Sequence, residues 1–159
     1  MTRLIAVLIA WLLALPAWAG EPMAPRDGWA VYPTGKTYKQ LVAAMKPAIK
    51  AESMGLVTQA GPTGAAKARG ITIPGNRVFG IFNNTFAVRT LALSTAAMIE
   101  APIRMYVTEN PDGTATLSYK APSLVFSPYF DEGGEALRTI AAELDAKFAA
   151  IAARAVAAE

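Results

Sequence analysis

The order of residue patterns along this 159-residue chain predicts an α+β domain. Three observations carry that expectation. Between Ile103 and Lys120, apolar and polar residues alternate on both sides of Asn110-Pro111-Asp112-Gly113, the pattern of a β-hairpin. From Leu137 to Ala155, apolar residues recur at helical spacing, which predicts one long amphipathic helix. Upstream of the hairpin, three strand patterns are interleaved with helical ones. The order therefore reads strand, helix, strand, strand, small helix, strand, strand, long helix.

Residues 1–19 are read apart from that domain. Arg3 precedes an unbroken apolar run from Leu4 to Leu15, Pro16 breaks it, and Ala17 and Ala19 are the small residues a signal peptidase reads. The run is shorter than the roughly 20 apolar residues a membrane-spanning helix needs. A cleaved export signal is expected, giving a periplasmic or secreted mature chain with no transmembrane segment. Residues 20–35 read as an N-terminal arm and first strand, and 36–159 as the main domain.

Gly28 to Tyr32 is a short strand that Pro33 should end. Thr37-Tyr38-Lys39-Gln40 matches a capping box, in which the Thr hydroxyl and the Gln side chain each satisfy a free backbone N–H. The following helix places Tyr38, Leu41, Val42, Met45 and Ile49 on one face. Pro47 should kink or shorten it, and Gly55 is the expected C-cap. Leu56 to Ala60 is a strand, Thr63 to Arg69 one or two helical turns, and Arg77 to Phe82 a buried strand. Asn83-Asn84-Thr85 caps a helix running from Phe86 to about Met98, with Val88, Leu91, Ala92 and Thr95 as its inward stripe.

In the hairpin, a type I turn closed by Gly113 pairs Asn110 with Thr114. That register puts Ile103, Met105 and Val107 on one face with Ala115, Leu117 and Tyr119. Arg104, Tyr106 and Thr108 share the other with Thr116, Ser118 and Lys120. Pro122 to Phe130 reads as an apolar connection. In the last helix, Leu137, Ile140, Ala141, Leu144, Phe148, Ile151 and Ala155 make the inward stripe, and Glu143 and Lys147 an i,i+4 pair.

Composition narrows the chemistry. With 53% hydrophobic and 17% charged residues, the chain is able to bury a core. It contains no cysteine and no histidine. Ser-His-Asp and Cys-His nucleophilic sites are therefore excluded, as are disulfides. The familiar zinc, blue-copper and haem-histidine sites are excluded too. No metal and no cofactor are expected. Charge is uneven: nine Lys/Arg face two acids from Lys36 to Arg104, and eight acids face four bases from Glu109 onward. Such a split makes a dipolar surface and does not by itself imply nucleic acid, which is not an expected partner of an exported protein.

The stretches P74-GNRVFGIFNNTFAVRTLAL and I99-EAPIRMYVTENPDGTATLSY, within the element order above, resemble the DUF302 family over about Lys36 to Ala150. Relatives usually enter the strand after Pro102 through a Leu-Pro-Cys type segment. Glu100-Ala101-Pro102 stands here without the cysteine, so no thiol-based role carries over. The resemblance implies a TBP-like fold, with one antiparallel sheet, helices packed on one face, and often a homodimer. The fold name does not imply DNA binding, and no catalytic residue is carried over.

The candidate site is argued from the hairpin. Its apolar face must be covered by helices, which leaves Arg104, Tyr106, Ser118 and Lys120 for solvent, a ligand or a second subunit, with Asn84 and Arg89 possible neighbours. Two cations and an aromatic suit an anionic or amphipathic small molecule, or an envelope protein. Asn83 and Asn84 are further candidates, because the cap they form is able to leave the Phe86 and Ala87 N–H groups to an anion. Arg77, Arg89 and Arg104 would form an anion clamp only if they converge. The leading reading is an exported, non-enzymatic binding or interaction domain. The alternatives are an enzyme using Arg, Tyr, Lys or carboxylate chemistry, and a structural homodimer within an envelope complex.

Overall fold

Each segment of the computed structural model, which describes residues 21–157, follows the expected order. The strands are β1 (Trp29–Thr37), β2 (Gly55–Ala60), β3 (Asn76–Phe82), β4 (Ile103–Glu109) and β5 (Thr114–Lys120). The helices are α1 (Tyr38–Ala51), α2 (Thr63–Ala68), α3 (Asn84–Leu93), α4 (Pro122–Phe126) and α5 (Phe130–Val156). Short 3-10 turns occupy Ala97–Glu100 and Ser127–Tyr129. All strand pairs are antiparallel, in one sheet ordered β1-β5-β4-β3-β2. The expected export signal at residues 1–19 lies outside the described residues.

The hairpin has the register its turn dictates. The Asn110 N–H donates to the Thr114 carbonyl at 2.8 Å, and Gly113 sits at φ 81°, where a side chain is disfavoured. Met105 lies opposite Tyr119, and Val107 opposite Leu117. Together with Ile103 and Ala115 these residues are buried, and α1 and α5 cover them. The predicted stripe of α5 is buried throughout, from Leu137 to Ala155.

The α1 capping box forms, with Thr37 N–H donating to Gln40 Oε1 at 2.9 Å and Gln40 N–H to Thr37 Oγ1 at 3.4 Å. Pro47 does not shorten the helix, which continues to Ala51. Pro47 and Ala43 are both exposed, so the carbonyl that loses its intrahelical partner faces water. The left-handed residue after the helix is Ser53 at φ 59°, while Gly55 opens β2. Likewise β1 runs through Pro33 to Thr37, because an edge strand does not need that N–H.

Three expectations about the helices need correction. Val88, Leu91, Ala92 and Thr95 all point outward, and Thr90 is the buried residue of α3, with Phe86 and Leu93 packed against the core. The helix starts earlier than expected and ends at Leu93, which turns its inward face onto α5. The segment after β5 is helical, as α4, rather than an irregular connection. Glu143 and Lys147 do not pair along α5. Glu143 takes the Arg89 guanidinium of α3 at 2.6 and 3.0 Å, and Lys147 joins Arg154 on Glu52. Partners from neighbouring elements reach each side chain first.

These pairs set the pH response. The hydrogen bond from Arg154, with help from Lys147, holds the Glu52 carboxyl below its ordinary 4.5. The Arg89 hydrogen bond does the same for Glu143, and Thr114 holds Asp112 below 3.8. A depressed carboxyl stabilises the fold above its unfolded value, and that stability is lost as pH falls through the folded value. With no histidine in the chain, the melting temperature is expected to stay level from about pH 8 to 5 and to fall below about 4.5. Glu52→Gln should flatten part of that fall; a melting curve series with the same acid slope in the variant would refute the assignment.

Candidate functional site

The face of the sheet opposite α1 and α5 is built from the other half of each strand. Register pairs Lys120 with Trp29 of β1 and Arg104 with Gly80 of β3, each one residue beyond the Met105–Tyr119 pair that joins β4 to β5. One step along, Ser118 lies between Val31 and Tyr106, and Tyr106 lies opposite Val78. The β2–α2 connection, Ala60-Gly61-Pro62, rises at one side of this face, and Glu100 and Val125 stand at another. Together they border an open cavity of about 660 Å³ lined by Trp29, Val78, Arg104, Tyr106 and Lys120 among others. That volume falls in the roughly 300–1,000 Å³ range of small-molecule sites.

The lining is mostly apolar with a few charges. Among the described residues, neither Arg104 nor Lys120 is in an ion pair. Lys120 Nζ lies 5.7 Å from the centre of the Trp29 ring, and the Arg26 guanidinium lies 5.2 Å from it. Burial pushes the Tyr106 phenol above its ordinary value, with Tyr38 adding to the effect. Tyr106 therefore remains a neutral hydroxyl, able to donate a hydrogen bond. The Glu100 carboxylate accepts a hydrogen bond from the Tyr129 hydroxyl at 2.9 Å.

The structure brings Arg104, Tyr106 and Lys120 to one cavity. Asn83, Asn84 and Arg89 do not line it. Asn83 Oδ1 accepts from the Thr85 and Phe86 N–H groups at 2.9 and 3.2 Å, and its Nδ2 donates to the Ser53 carbonyl at 3.0 Å. The Ala87 N–H donates to the Asn83 carbonyl, so the two N–H groups considered for an anion are taken. Asn84 is the exposed first residue of α3. Arg89 is held by Glu143, and Arg77 lies opposite Val107 on the helix-covered face, so the three arginines do not converge.

Ser118 is fully buried, against the expectation of an exposed polar face. A small side chain between the larger Val31 and Tyr106 is shielded by them. Sequence reasoning missed Trp29, Gly61, Pro62, Val78 and Glu100 as cavity residues. For Trp29 a signal existed: the odd-numbered residues of the first strand face the same way as the even-numbered residues of the hairpin once the two strands pair. For Gly61 and Glu100 there was none, because a loop and a 3-10 turn have no periodicity to read.

Comparison with known proteins bears on the fold. The family model described as "Domain of unknown function DUF302" matches residues 31–155. The crystal structure of an uncharacterized conserved DUF302 protein from Bacillus stearothermophilus superposes with a TM-score of 0.72 at 18% identity. The match covers 82% of this chain and 99% of that one. No curated protein matches the chain significantly. One antiparallel five-stranded sheet with helices packed on it, and a family match that runs from inside β1 through the other four strands and nearly all of α5, lead to one conclusion: the chain belongs to the DUF302 family.

Proposed function

We propose that this chain is an exported binding module that holds a small amphipathic anion in the cavity on the face of the sheet opposite α1 and α5. One observation carries the reading. Two cations without ion-pair partners among the described residues, Arg104 and Lys120, line a cavity whose other walls are mostly aromatic and aliphatic, with Asn76 and Glu100 as the further polar residues. Exposed cations beside an apolar wall are free to take a carboxylate, sulfonate or phosphate through charge-assisted hydrogen bonds. Arg104 offers a forked pair of donors, and Lys120 a point charge steadied over Trp29. Val78, Val125 and Pro62 then take the apolar body of the ligand. Export is supported by the pattern of residues 3–19.

The fluorescent amphipathic anion 8-anilinonaphthalene-1-sulfonate is a direct probe. It is expected to bind saturably at one site and to change the emission of Trp29, a change that Trp29→Phe removes. Arg104→Ala/Lys120→Ala should weaken the probe about tenfold or more. Exposed substitutions usually shift stability by only about 0.5 kcal/mol, so the melting temperature should hardly move. Undiminished probe affinity in the double variant, with the fold intact, would refute the reading.

A further inference from the structure

Glu100 lines the same cavity as the two cations, yet no ion pair joins it to Arg104 or Lys120. Resting on the reading of this cavity as an anion site, we propose that its occupant is a small zwitterion with an apolar body. Its carboxylate meets Arg104 and Lys120, and its ammonium meets Glu100. The chemistry is that of a hydrophobic amino acid or a short hydrophobic peptide with free ends.

Three features support a separated pair of charges. The first is that Glu100 is held in place. Its Oε1 accepts from the Tyr129 hydroxyl at 2.9 Å, while Oε2 has no hydrogen-bond partner among the described residues. That hydrogen bond is also the chief reason the Tyr129 phenol is raised above its ordinary value, so it stays protonated and keeps donating. The second is that the charges stand on different elements. Glu100 closes a 3-10 turn and Arg104 is the second residue of β4, with Pro102 between them fixing one backbone angle. The third is the cost of the alternative. A plain amphipathic anion that fills the cavity would lay apolar surface against an unpaired carboxylate and strip its water. An ammonium at that point turns the penalty into a charge-assisted hydrogen bond. Glu100 thereby acts as a specificity-determining residue, and Tyr129 as the residue that positions it.

Three probes of one skeleton test this by titration calorimetry on the full chain: the dipeptide phenylalanyl-leucine, its N-acetyl form, which lacks the ammonium, and its C-terminal amide, which lacks the carboxylate. The free dipeptide is expected to bind at least fivefold more tightly than either derivative. In Glu100→Gln, the preference over the N-acetyl form should vanish while the affinity for the N-acetyl form holds or rises. In Tyr129→Phe, that preference should shrink without a matching loss of affinity for the N-acetyl form, a change that a loosened fold would not produce. If the N-acetyl form binds the wild type as tightly as the free dipeptide, or the preference survives Glu100→Gln, the zwitterion inference is overturned and the anion site stands. If neither carboxylate-bearing probe nor the naphthalene sulfonate binds, both readings fall together.

Discussion

Replacing Phe148 with alanine is expected to destabilise the domain by about 3–5 kcal/mol. Its side chain has no solvent exposure, in the third quarter of α5. It meets Tyr119 of β5 edge-on, with ring centres 5.5 Å apart and planes at 62°. Tyr119 in turn stacks on Tyr32 of the edge strand β1, 6.2 Å away. The three rings tie the longest helix to the sheet edge, and burial together with Tyr32 pushes the Tyr119 phenol well above its ordinary value. Truncation removes both the transfer energy of a phenyl group and its packing partners, in an interior that relaxes only partly. Total stability of a domain is about 5–15 kcal/mol, so a loss of this size consumes a large share of it. Phe148→Leu should recover most of the loss, because it refills much of the volume. Leu144→Ala, one turn earlier and 4% exposed, should cost about 2–5 kcal/mol. Urea unfolding measures all three. A midpoint unmoved by Phe148→Ala would mean that α5 is not docked on the sheet as described.

The α5 stripe was legible from sequence for the same reason its loss is costly. Seven apolar residues at one helical spacing leave a single face to bury. The hairpin was legible because Pro111, Asp112 and Gly113 restrict the turn, and the turn fixes every cross-strand partner. α3 shows where such reading fails. It carries apolar residues on several faces, so Val88 and Leu91 looked as suitable for the core as Phe86 and Leu93, and only packing against α5 chose between them. The candidate site divides along the same line. Arg104, Tyr106 and Lys120 follow from hairpin register alone. Trp29 needs the pairing of β1 with β5, a contact between segments some ninety positions apart, and Glu100 needs the placement of a 3-10 turn. Neither is encoded in a local period.

Two glycines three positions apart should respond to alanine with opposite signs. Gly61 joins β2 to α2, where Ala60 still pairs with Val78 of β3. A Cβ on Gly61 would stand 2.3 Å from the backbone carbonyl oxygen of Asn76, which cannot rotate away. The β2–α2 connection must then lift off β3, at a cost of about 1–3 kcal/mol. Ala60 and Pro62 move with it, and both line the cavity, so affinity for the naphthalene sulfonate probe should fall as well. Gly64 lies inside α2, and a Cβ there meets nothing within 4 Å. Gly64→Ala should stabilise the domain by roughly 0.5–1 kcal/mol, because glycine loses the most backbone freedom on entering a helix. Thermal melts and probe titrations of the two variants separate the effects. A Gly61→Ala protein as stable as wild type, with probe affinity intact, would show that the β2–α2 connection does not press on β3 and does not shape the cavity wall.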